Sequence, residues 1–433
     1  KVLLKNEKKL LILSYYFPPL GMGGTQRIAK FVKYLPQFSW QPVVVTVKDV
    51  VYYARDETLL QDVAQARCYR TGSLDPQRLA AILFPAKGAS NRPNQTAAPR
   101  RWQRLNKILA WCFIPDPKVL WLPFALLKSL RLIRREEIAC ILTTSPPHSV
   151  HLAGRLLKKI TKLAWVADFR DGWIGGNFQY EPTRLHRWLN QHLEKKILTS
   201  ADQIVGVSEG LVEELQAHPN RARPGFHVIT NGFDLEDLHQ LPQPMVNDKF
   251  TLTYCGAVTA ISPLASFVKS LANLLHTYPA MRHQIGVSIV GVDLTGELAE
   301  LLRRYEVADV VILLGYQTHL RALEQVVHAD LLLYPVASWA NRDFVPGKTF
   351  EYLLSGNPVL AIGPVVEGVE ILKTATRVEC VDHSNPKQIE QIVLHYYELY
   401  QQGALPKRKG HLPLAYERKQ QAQKLAEILN RSI

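Results

Sequence analysis

Apolar residues along the chain occur in short runs, which alternate with longer stretches in which they recur every three or four positions. Short apolar runs between turn residues are typical of buried parallel strands, and the longer pattern is typical of helices with one packed face. In the first half, the pattern predicts strands over residues 10–13, 42–47, 138–143, 163–167, 203–207 and 226–230. It predicts helices over residues 26–35, 148–160, 184–199 and 209–217. Such alternation indicates a parallel sheet covered by helices.

A second alternating series begins near residue 250. Its predicted strands are residues 251–255, 286–290, 310–314, 331–334 and 358–362. Its predicted helices are residues 263–275, 298–305, 320–327 and 348–355. Residues 241–248 contain two prolines and several turn formers, which predicts a linker, and residues 415–430 have the composition of a polar helix. We therefore predict an α/β protein with domains over 1–240 and 250–413, followed by a terminal helical segment over 414–433.

Composition is consistent with this organisation. A chain of 433 residues is too long for one ordinary core, and its 47% hydrophobic and 21% charged residues are typical of globular proteins. The five cysteines are scattered and contain no Cys-x-x-Cys pair, which predicts reduced thiols and neither a disulfide framework nor a zinc site. The first residues lack the apolar core of a signal peptide. Together these features predict a cytoplasmic protein.

The net charge of +14 is concentrated in one region. Residues 100–135 contain nine Lys or Arg and one acid, Asp116, a net charge of 9 − 1 = +8. Aromatic residues are interspersed there, so we treat residues 84–135 as a basic, aromatic surface region. Its longest apolar run, 119–127, is far shorter than the roughly 20 residues that span a bilayer. The region predicts an interfacial contact with an anionic membrane; nucleic acid is the alternative, but no binding module accompanies it.

The segment Arg342-Asp-Phe-Val-Pro-Gly-Lys-Thr-Phe-Glu-Tyr-Leu-Leu-Ser-Gly-Asn-Pro-Val-Leu is the strongest candidate for chemistry. Gly347 ends a loop and Lys348 begins a helix, whose free backbone N–H groups and dipole form an anion site. Lys348 adds a positive charge, and Glu351, one turn later, is placed to accept hydrogen bonds from a ribose diol. The alternative is an exposed Lys348–Glu351 pair, worth ~0.2–0.5 kcal/mol.

Two strand ends in the first half also contain polar groups. Asp168, Arg170 and Asp171 follow an apolar strand, and strand carboxyl ends are where open α/β sheets bind ligands. The alternative is that Asp168 and Arg170 pair with each other or cap a helix. His148 and His151 stand at a similar strand-to-helix junction, where the spacing offers no third metal ligand and favours solvated or capping histidines.

The 345–362 segment resembles the donor-binding signature of glycosyltransferase family 4. In this resemblance Glu351 matches the second Glu of the family's pair, which holds the donor ribose. Asp343 stands eight positions earlier, where the family has its first Glu, which implies a contact with the donor sugar. The Pro-Gly-Lys-x-Phe-Glu-Tyr form is similar to a branch that makes surface polysaccharides and lipid-linked saccharides.

The resemblance extends along nearly the whole chain. Residues 15–27 look like the family's first Gly-rich loop, which implies that Gly23 and Gly24 approach the donor. The turn after residue 167 is where the family places acceptor- and sugar-contacting groups. It implies acceptor contact by Asp168, together with His148, and catalysis by Arg170 and Asp171; the better-known members have His in place of Arg170.

In the second half, Gly256 matches the family's first strand end. Many members have a cation shortly after this glycine, whereas this chain has none until Lys269. We predict that Lys348 supplies the missing charge, with Gly347 and Thr349 completing the phosphate-binding turn. Tyr316 falls where the family's nucleobase pocket forms, with a core tyrosine as the alternative.

The resemblance implies a GT-B fold, in which two Rossmann-like domains face each other across a cleft and the C-terminal helix returns to the N-terminal domain. It implies a retaining hexosyltransferase of cell-envelope polysaccharide synthesis. The substrates would be a UDP- or GDP-type sugar and a saccharide or lipid-linked acceptor, at the inner face of the cell membrane. Because no Asp-x-Asp motif occupies a suitable strand end, we expect no metal, and no cofactor besides the donor substrate. The alternatives are a hydrolysing nucleotide-sugar epimerase and a non-catalytic nucleotide-sugar- or membrane-binding protein.

Overall fold

The computed structural model describes residues 7–48, 50, 52, 54–83, 111–174, 182–217, 225–242, 247–406 and 411–433. These form two compact units: residues up to Asn231 together with Arg418–Ile433, and Gly232–Glu417. Residues 84–110 of the basic, aromatic surface region lie outside the described residues.

Within the described part of the first unit, seven parallel strands form one sheet. In chain order they are β1 (Lys8–Leu13), β2 (Trp40–Val47), β3 (Arg67–Thr71), β4 (Ile138–Ser145), β5 (Ala164–Phe169), β6 (Gln203–Gly206) and β7 (Gly225–Val228). Their spatial order is β3-β2-β1-β4-β5-β6-β7. The chain reverses its direction of travel across the sheet between β1 and β4, which is the switch point where such sheets bind ligands.

Both faces of this sheet are buried. Along β1, Leu11 and Leu13 pack into one hydrophobic cluster, while Leu10 and Ile12 pack into another on the opposite face. Alternate side chains point to opposite faces of a strand, so a run without polar residues is expected where helices cover both sides. Helices of this unit include α1 (Gly23–Tyr34), α2 (Pro76–Leu83), α3 (Leu122–Arg135), α4 (Ser149–Thr161), α5 (Arg184–Leu198) and α6 (Glu209–Gln216).

Helix α3 lies in the predicted basic, aromatic surface region and packs one face against the core of the first unit. Its buried residues, Leu122, Ala125, Ser129 and Leu132, recur at helical spacing, and the three apolar ones belong to the core of the first unit. Pro123 occupies the first turn, where a missing N–H is tolerated. The apolar stripe therefore covers the sheet. No helix within the described ranges has the length and apolar character needed to cross a bilayer.

The described second unit contains a sheet of six parallel strands in the order β10-β9-β8-β11-β12-β13. They are β8 (Phe250–Cys255), β9 (Ile285–Val290), β10 (Val311–Gly315), β11 (Leu331–Pro335), β12 (Val359–Ile362) and β13 (Val378–Val381). Its helices are α7 (Leu235–His239), α8 (Ser262–Thr277), α9 (Leu298–Arg304), α10 (His319–Val327), α11 (Lys348–Ser355), α12 (Glu367–Lys373) and α13 (Pro386–Gln401).

The division between the units falls earlier than the predicted domain end at residue 240. Phe233 is buried in a core cluster of the second unit, and Leu235 and Leu238 of α7 pack against the same cluster. This apolar packing assigns the segment after Gly232 to the second unit, ahead of the proline-rich linker predicted at 241–248.

The last helix, α14 (Arg418–Ser432), belongs to the first unit. Ala422, Leu425, Ala426 and Leu429 are buried in the hydrophobic cluster that also contains Ile28 and Phe31 of α1. The predicted return of the C-terminal helix to the N-terminal domain is therefore confirmed.

Candidate functional site

Helix α11 connects β11 to β12 and presents its first turn at the carboxyl end of the second sheet. Phe350, Leu353 and Leu354 are buried in the core, which fixes the rotation of the helix. The helix ends at Ser355, and the following Gly356 has a φ of 72° that glycine readily adopts. With this face buried, the first turn directs Lys348 and Glu351 away from the core cluster.

The ammonium of Lys348 lies over two tyrosine rings at neighbouring strand ends. Its Nζ is 4.2 Å from the ring centroid of Tyr254 on β8 and 5.1 Å from that of Tyr334 on β11. Burial lowers the pKa of Lys348 to about 7, an effect that nearby Cys255 and Glu351 partly oppose. The rings stabilise a cation through their π faces, but a poorly solvated ammonium still favours an anionic ligand.

Gly256 lies beside this lysine, at the end of β8. A Cβ added there would lie 3.5 Å from Cδ of Lys348, and the φ of 138° is strained for other residues. A Cβ at Gly291 would lie 2.0 Å from the carbonyl oxygen of Gly256, so glycines allow the turns after β8 and β9 to approach closely. Lys348 thus brings a positive charge to the strand end that has no cation of its own.

Glu351 lies near a histidine that the sequence analysis did not single out. Nδ1 of His319 is 3.8 Å from Oε1 of Glu351, and Nε2 of His319 is 2.8 Å from Oδ2 of Asp237. The Glu351 side chain is 20% exposed and Lys348 lies over the tyrosine rings, which differs from the alternative of an exposed Lys348–Glu351 pair. Nothing in the sequence indicated that His319 belongs to the site, because Asp237 and Glu351 stand 82 and 32 positions away from it.

Thr349 requires a correction to its predicted role. The side chain is fully buried, its hydroxyl is 2.7 Å from that of Tyr334, and its backbone N–H donates to the carbonyl of Pro346. The hydroxyl fastens α11 to β11 and is not presented to a donor, which leaves the N–H groups of Gly347 and Lys348 for the phosphate-binding turn.

Two further predicted donor residues lie in loops. Asp343 is exposed in the loop before α11, and no hydrogen bond or ion pair joins it to Lys348 or Glu351 within the described residues. Tyr316 is half-buried just after β10, at the carboxyl edge of the same sheet. The structure therefore groups Lys348, Glu351 and Gly256, and leaves Asp343 on the periphery.

In the first unit, Asp168 is buried and already paired, so its predicted contact with an acceptor is corrected. Arg27 donates to both carboxylate oxygens at 2.8 and 3.3 Å, and the Thr144 hydroxyl donates at 2.7 Å. Asp168 is 2% exposed and Arg27 is fully buried. The pair joins α1 to the end of β5. It replaces the Asp168–Arg170 pairing that was the alternative.

Arg170 lies against the start of α1. It donates to the carbonyls of Ser145 and Pro146, each at 2.7 Å, and a Cβ added at Gly24 would lie 1.8 Å from its Nη1. A side chain at Gly24 would therefore displace this guanidinium, whereas a Cβ at Gly23 would meet open space. Burial lowers the pKa of Arg170, an effect that neighbouring Asp171 and Asp168 partly oppose. Arg170 therefore places a positive charge beside the N-terminus of α1, whose first turn contains no acid. This combination favours the binding of an anion.

His148 and His151 are buried instead of solvated or capping. His148 is 8% exposed and stacks on Trp173, with ring centroids 4.9 Å apart. Burial, with a contribution from Arg170, lowers the pKa of His148 to about 3, so the ring is neutral. Asp116 caps α4 in its place, accepting from the Ser149 N–H at 2.9 Å. In the described residues, no group of three or more His, Cys, Asp or Glu is arranged to hold a metal ion.

Comparison with known proteins gives a family match over the first half of the chain. Residues 22–232 match the model of the glycosyl transferase 4-like domain. A comparison with curated proteins finds no match.

Solved structures resemble the whole chain. The structure of HepE from Anabaena in complex with UDP-glucose has a TM-score of 0.60 and 16% identity, over 98% of this chain and 99% of that chain. Sucrose-phosphate synthase from Thermosynechococcus elongatus has a TM-score of 0.55 and 14% identity, over 98% and 97%. A putative UDP-N-acetylglucosamine 2-epimerase from Listeria monocytogenes has a TM-score of 0.54 and 11% identity, over 97% and 95%. The chain therefore contains a glycosyl transferase 4-like domain over residues 22–232, consistent with the resemblance to glycosyltransferase family 4, and has the GT-B fold.

Proposed function

We propose that this chain transfers a hexosyl group from a nucleoside diphosphate sugar to a saccharide or lipid-linked acceptor, with retention and without a metal. The observation that carries this proposal is the pairing of a desolvated lysine with a carboxylate on the first turn of α11. Lys348 suits a diphosphate, and Glu351 suits a ribose diol. The two lie one helical turn apart, a spacing that fits a nucleoside diphosphate.

The proposed chemistry follows from the charge that develops on the leaving diphosphate. The N–H groups of Gly347 and Lys348 and the Lys348 ammonium would stabilise this charge, which is the part a metal takes in other transferases. Asp343 would contact the donor sugar and Tyr316 the base. No enzymatic nucleophile stands out among the candidate residues, so a front-face displacement is the retaining mechanism that we propose.

The donor type is supported by the similar structure that contains UDP-glucose, and GDP-sugars remain in the proposal as the second type. In the first unit, Arg170 with Gly23 and Gly24 offers a second anion-binding position. His148 and Asp171 adjoin it, at the carboxyl edge of the first sheet where we place the acceptor. The described basic residues of α3 support a peripheral site at the inner face of the cell membrane, where a lipid-linked acceptor of envelope polysaccharide synthesis would be found.

The test is a donor screen with the purified full chain. UDP- and GDP-sugars are incubated with and without candidate acceptors, and released nucleotide and new glycosides are measured by mass spectrometry. Replacing one preorganised donor in the site should reduce turnover by roughly 100- to 1000-fold, so we expect this loss in Lys348→Met. Glu351→Ala should weaken donor binding, and the exposed Glu370→Ala on α12 serves as the matched control. If the chain binds the donor without transferring or hydrolysing it, and Glu351→Ala binds the donor equally well, the proposed transferase activity is refuted.

An epimerase is the second candidate, because a putative UDP-N-acetylglucosamine 2-epimerase has a similar fold. The same screen separates the two when UDP-N-acetylglucosamine is one of the donors. Formation of the C2-epimerised sugar without any acceptor would replace the transferase proposal. Transfer to an acceptor with the donor sugar unchanged would support it.

A further inference from the structure

Three side chains from separate elements form a row in the second unit. Asp237 lies in α7, His319 begins α10, and Glu351 is in the first turn of α11. The imidazole lies between the two carboxylates, 2.8 Å from Asp237 and 3.8 Å from Glu351. The side chains of Asp237 and His319 are 5% and 11% exposed. A polar row of this kind, held by packed helices, fixes the position of its least buried member.

The chemistry of the row gives each residue a distinct part. A carboxylate at hydrogen-bond distance from one ring nitrogen fixes the orientation of a histidine and determines which nitrogen carries the proton. The other nitrogen of His319 then faces Oε1 of Glu351 across a gap longer than a hydrogen bond. At that distance the imidazole acts on Glu351 electrostatically and sterically, and so limits the rotamers open to the carboxylate.

We propose that His319, oriented by Asp237, is the positioning residue for the Glu351 carboxylate. This inference rests on the proposed function, in which Glu351 accepts hydrogen bonds from the ribose hydroxyls of the donor. A carboxylate already held in its binding rotamer loses less entropy when the nucleotide arrives. The share of nucleotide affinity that comes from the ribose hydroxyls therefore depends on His319.

The experiment compares two ligands on the full-length chain by isothermal titration calorimetry. One is UDP or GDP, whichever the wild type binds more tightly, and the other is the same nucleotide without its two ribose hydroxyls. Hydrogen bonds to a charged group are worth enough to give the complete nucleotide roughly a tenfold or greater advantage in wild type. Glu351→Ala should abolish that advantage.

Two amide variants, each matching one of the two ring nitrogens, separate positioning from general structural support. His319→Gln retains a polar group towards Asp237 but removes the ring nitrogen that faces Glu351, so the advantage of the ribose hydroxyls should fall several-fold. His319→Asn keeps a polar group near the position of Nδ1 but loses the contact with Asp237, so it should retain more of that advantage than His319→Gln and less than wild type. His328→Gln, at the opposite end of α10, is the matched control and should behave as wild type. Thermal unfolding of each variant confirms that it is folded.

The titration results separate a failure of the role of His319 from a failure of the proposed function. If His319→Gln weakens both ligands equally, or if its effect adds in full to that of Glu351→Ala, His319 does not act through Glu351 and the inference fails alone. If the wild type binds neither UDP nor GDP, the proposed function fails and the inference fails with it.

Discussion

At the scale of single residues, Lys348 makes the most direct prediction because its charge depends on its surroundings. Without a bound ligand, burial lowers the pKa of Lys348 to about 7, so above that pH its amine is mostly neutral. A bound diphosphate would favour the ammonium and raise the pKa again. Binding of UDP at about pH 8 should therefore take up nearly one proton, and affinity should fall by up to roughly tenfold per pH unit above 7.

The measurement is titration calorimetry in two buffers of different ionisation enthalpy, which gives the number of protons exchanged. Lys348→Met should bind more weakly and take up no proton. Lys269→Met, on α8, is the matched control, since Lys269 is exposed and is the first cation after Gly256 in sequence. Equal proton uptake by wild type and Lys348→Met would refute a role for this lysine in phosphate binding.

Asp168 makes a prediction about stability rather than acceptor binding. Its carboxylate is paired with the fully buried Arg27, so its removal would leave a buried guanidinium without its counter-charge. Asp168→Ala should reduce the free energy of unfolding by roughly 3–5 kcal/mol, measured by urea denaturation. Asp171→Ala, three positions later and exposed, is the control and should cost far less. Similar losses in both variants would contradict the assigned role of the pair.

Asp168 also shows where sequence reasoning reaches its limit. The apolar strand before it correctly indicated a polar strand end, because that pattern is local. Its partner Arg27 stands 141 positions earlier, and only the packing of α1 on the sheet brings them together. Lys348 was predictable because a loop, a glycine and a helix start adjoin it in sequence, whereas the Tyr254 and Tyr334 rings around it were not.

At the scale of elements, α3 explains why the basic, aromatic region was assigned to a membrane surface. Its apolar stripe and Pro123 are compatible with either an interfacial segment or a packed helix, and periodicity alone does not distinguish them. The sheet decides, because β1 and β2 need cover on that face and α3 provides it. The arginines of α3 lie on its outer, exposed face, so any contact with a membrane would depend on their positive charge.

The prediction for α3 is therefore electrostatic. Arg134 and Arg135 are exposed in its last turn, and Arg134→Glu/Arg135→Glu should reduce co-sedimentation with vesicles containing anionic lipid at low salt. Basic residues near an anionic surface contribute about 1 kcal/mol each, so the double reversal should lower partitioning by tenfold or more. The control is Arg303→Glu/Arg304→Glu, an exposed pair in the last turn of α9 in the second unit. Equal loss in both variants would indicate non-specific charge attraction, and retention of binding by the α3 variant would exclude this face.

At the scale of the whole molecule, the first unit is formed by the first part of the sequence together with its last helix. Alternating strands and helices predicted two sheets, and the resemblance predicted that the final helix returns to the first. The pattern did not reveal the exact division after Asn231, because the decisive contact is that of Phe233 with a core formed much later in the chain. The last helix of the first unit is therefore synthesised only after the second unit.

This arrangement predicts a destabilisation confined to one unit. Leu425 and Leu429 of α14 are buried in the core that contains Ile28 of α1. Each Leu→Ala change in such a core costs roughly 2–5 kcal/mol, so Leu425→Ala/Leu429→Ala should consume much of the stability of the first unit. Hydrogen exchange read by mass spectrometry should show faster exchange in the strands and helices before Asn231, with little change across Gly232–Glu417.

The matched control lies on the same helix. Gln423→Ala/Glu427→Ala removes two exposed side chains that contact each other across one turn, and its exchange should resemble that of wild type. Faster exchange throughout both units would mean that they unfold together. Protection lost only in the second unit would contradict the assignment of α14. We expect the loss of protection to be confined to segments more than 180 positions away from α14 in sequence. The reason is that α14 completes a hydrophobic core to which α1 also contributes. Such a core is stabilised by its packing, whatever the order of its parts along the chain.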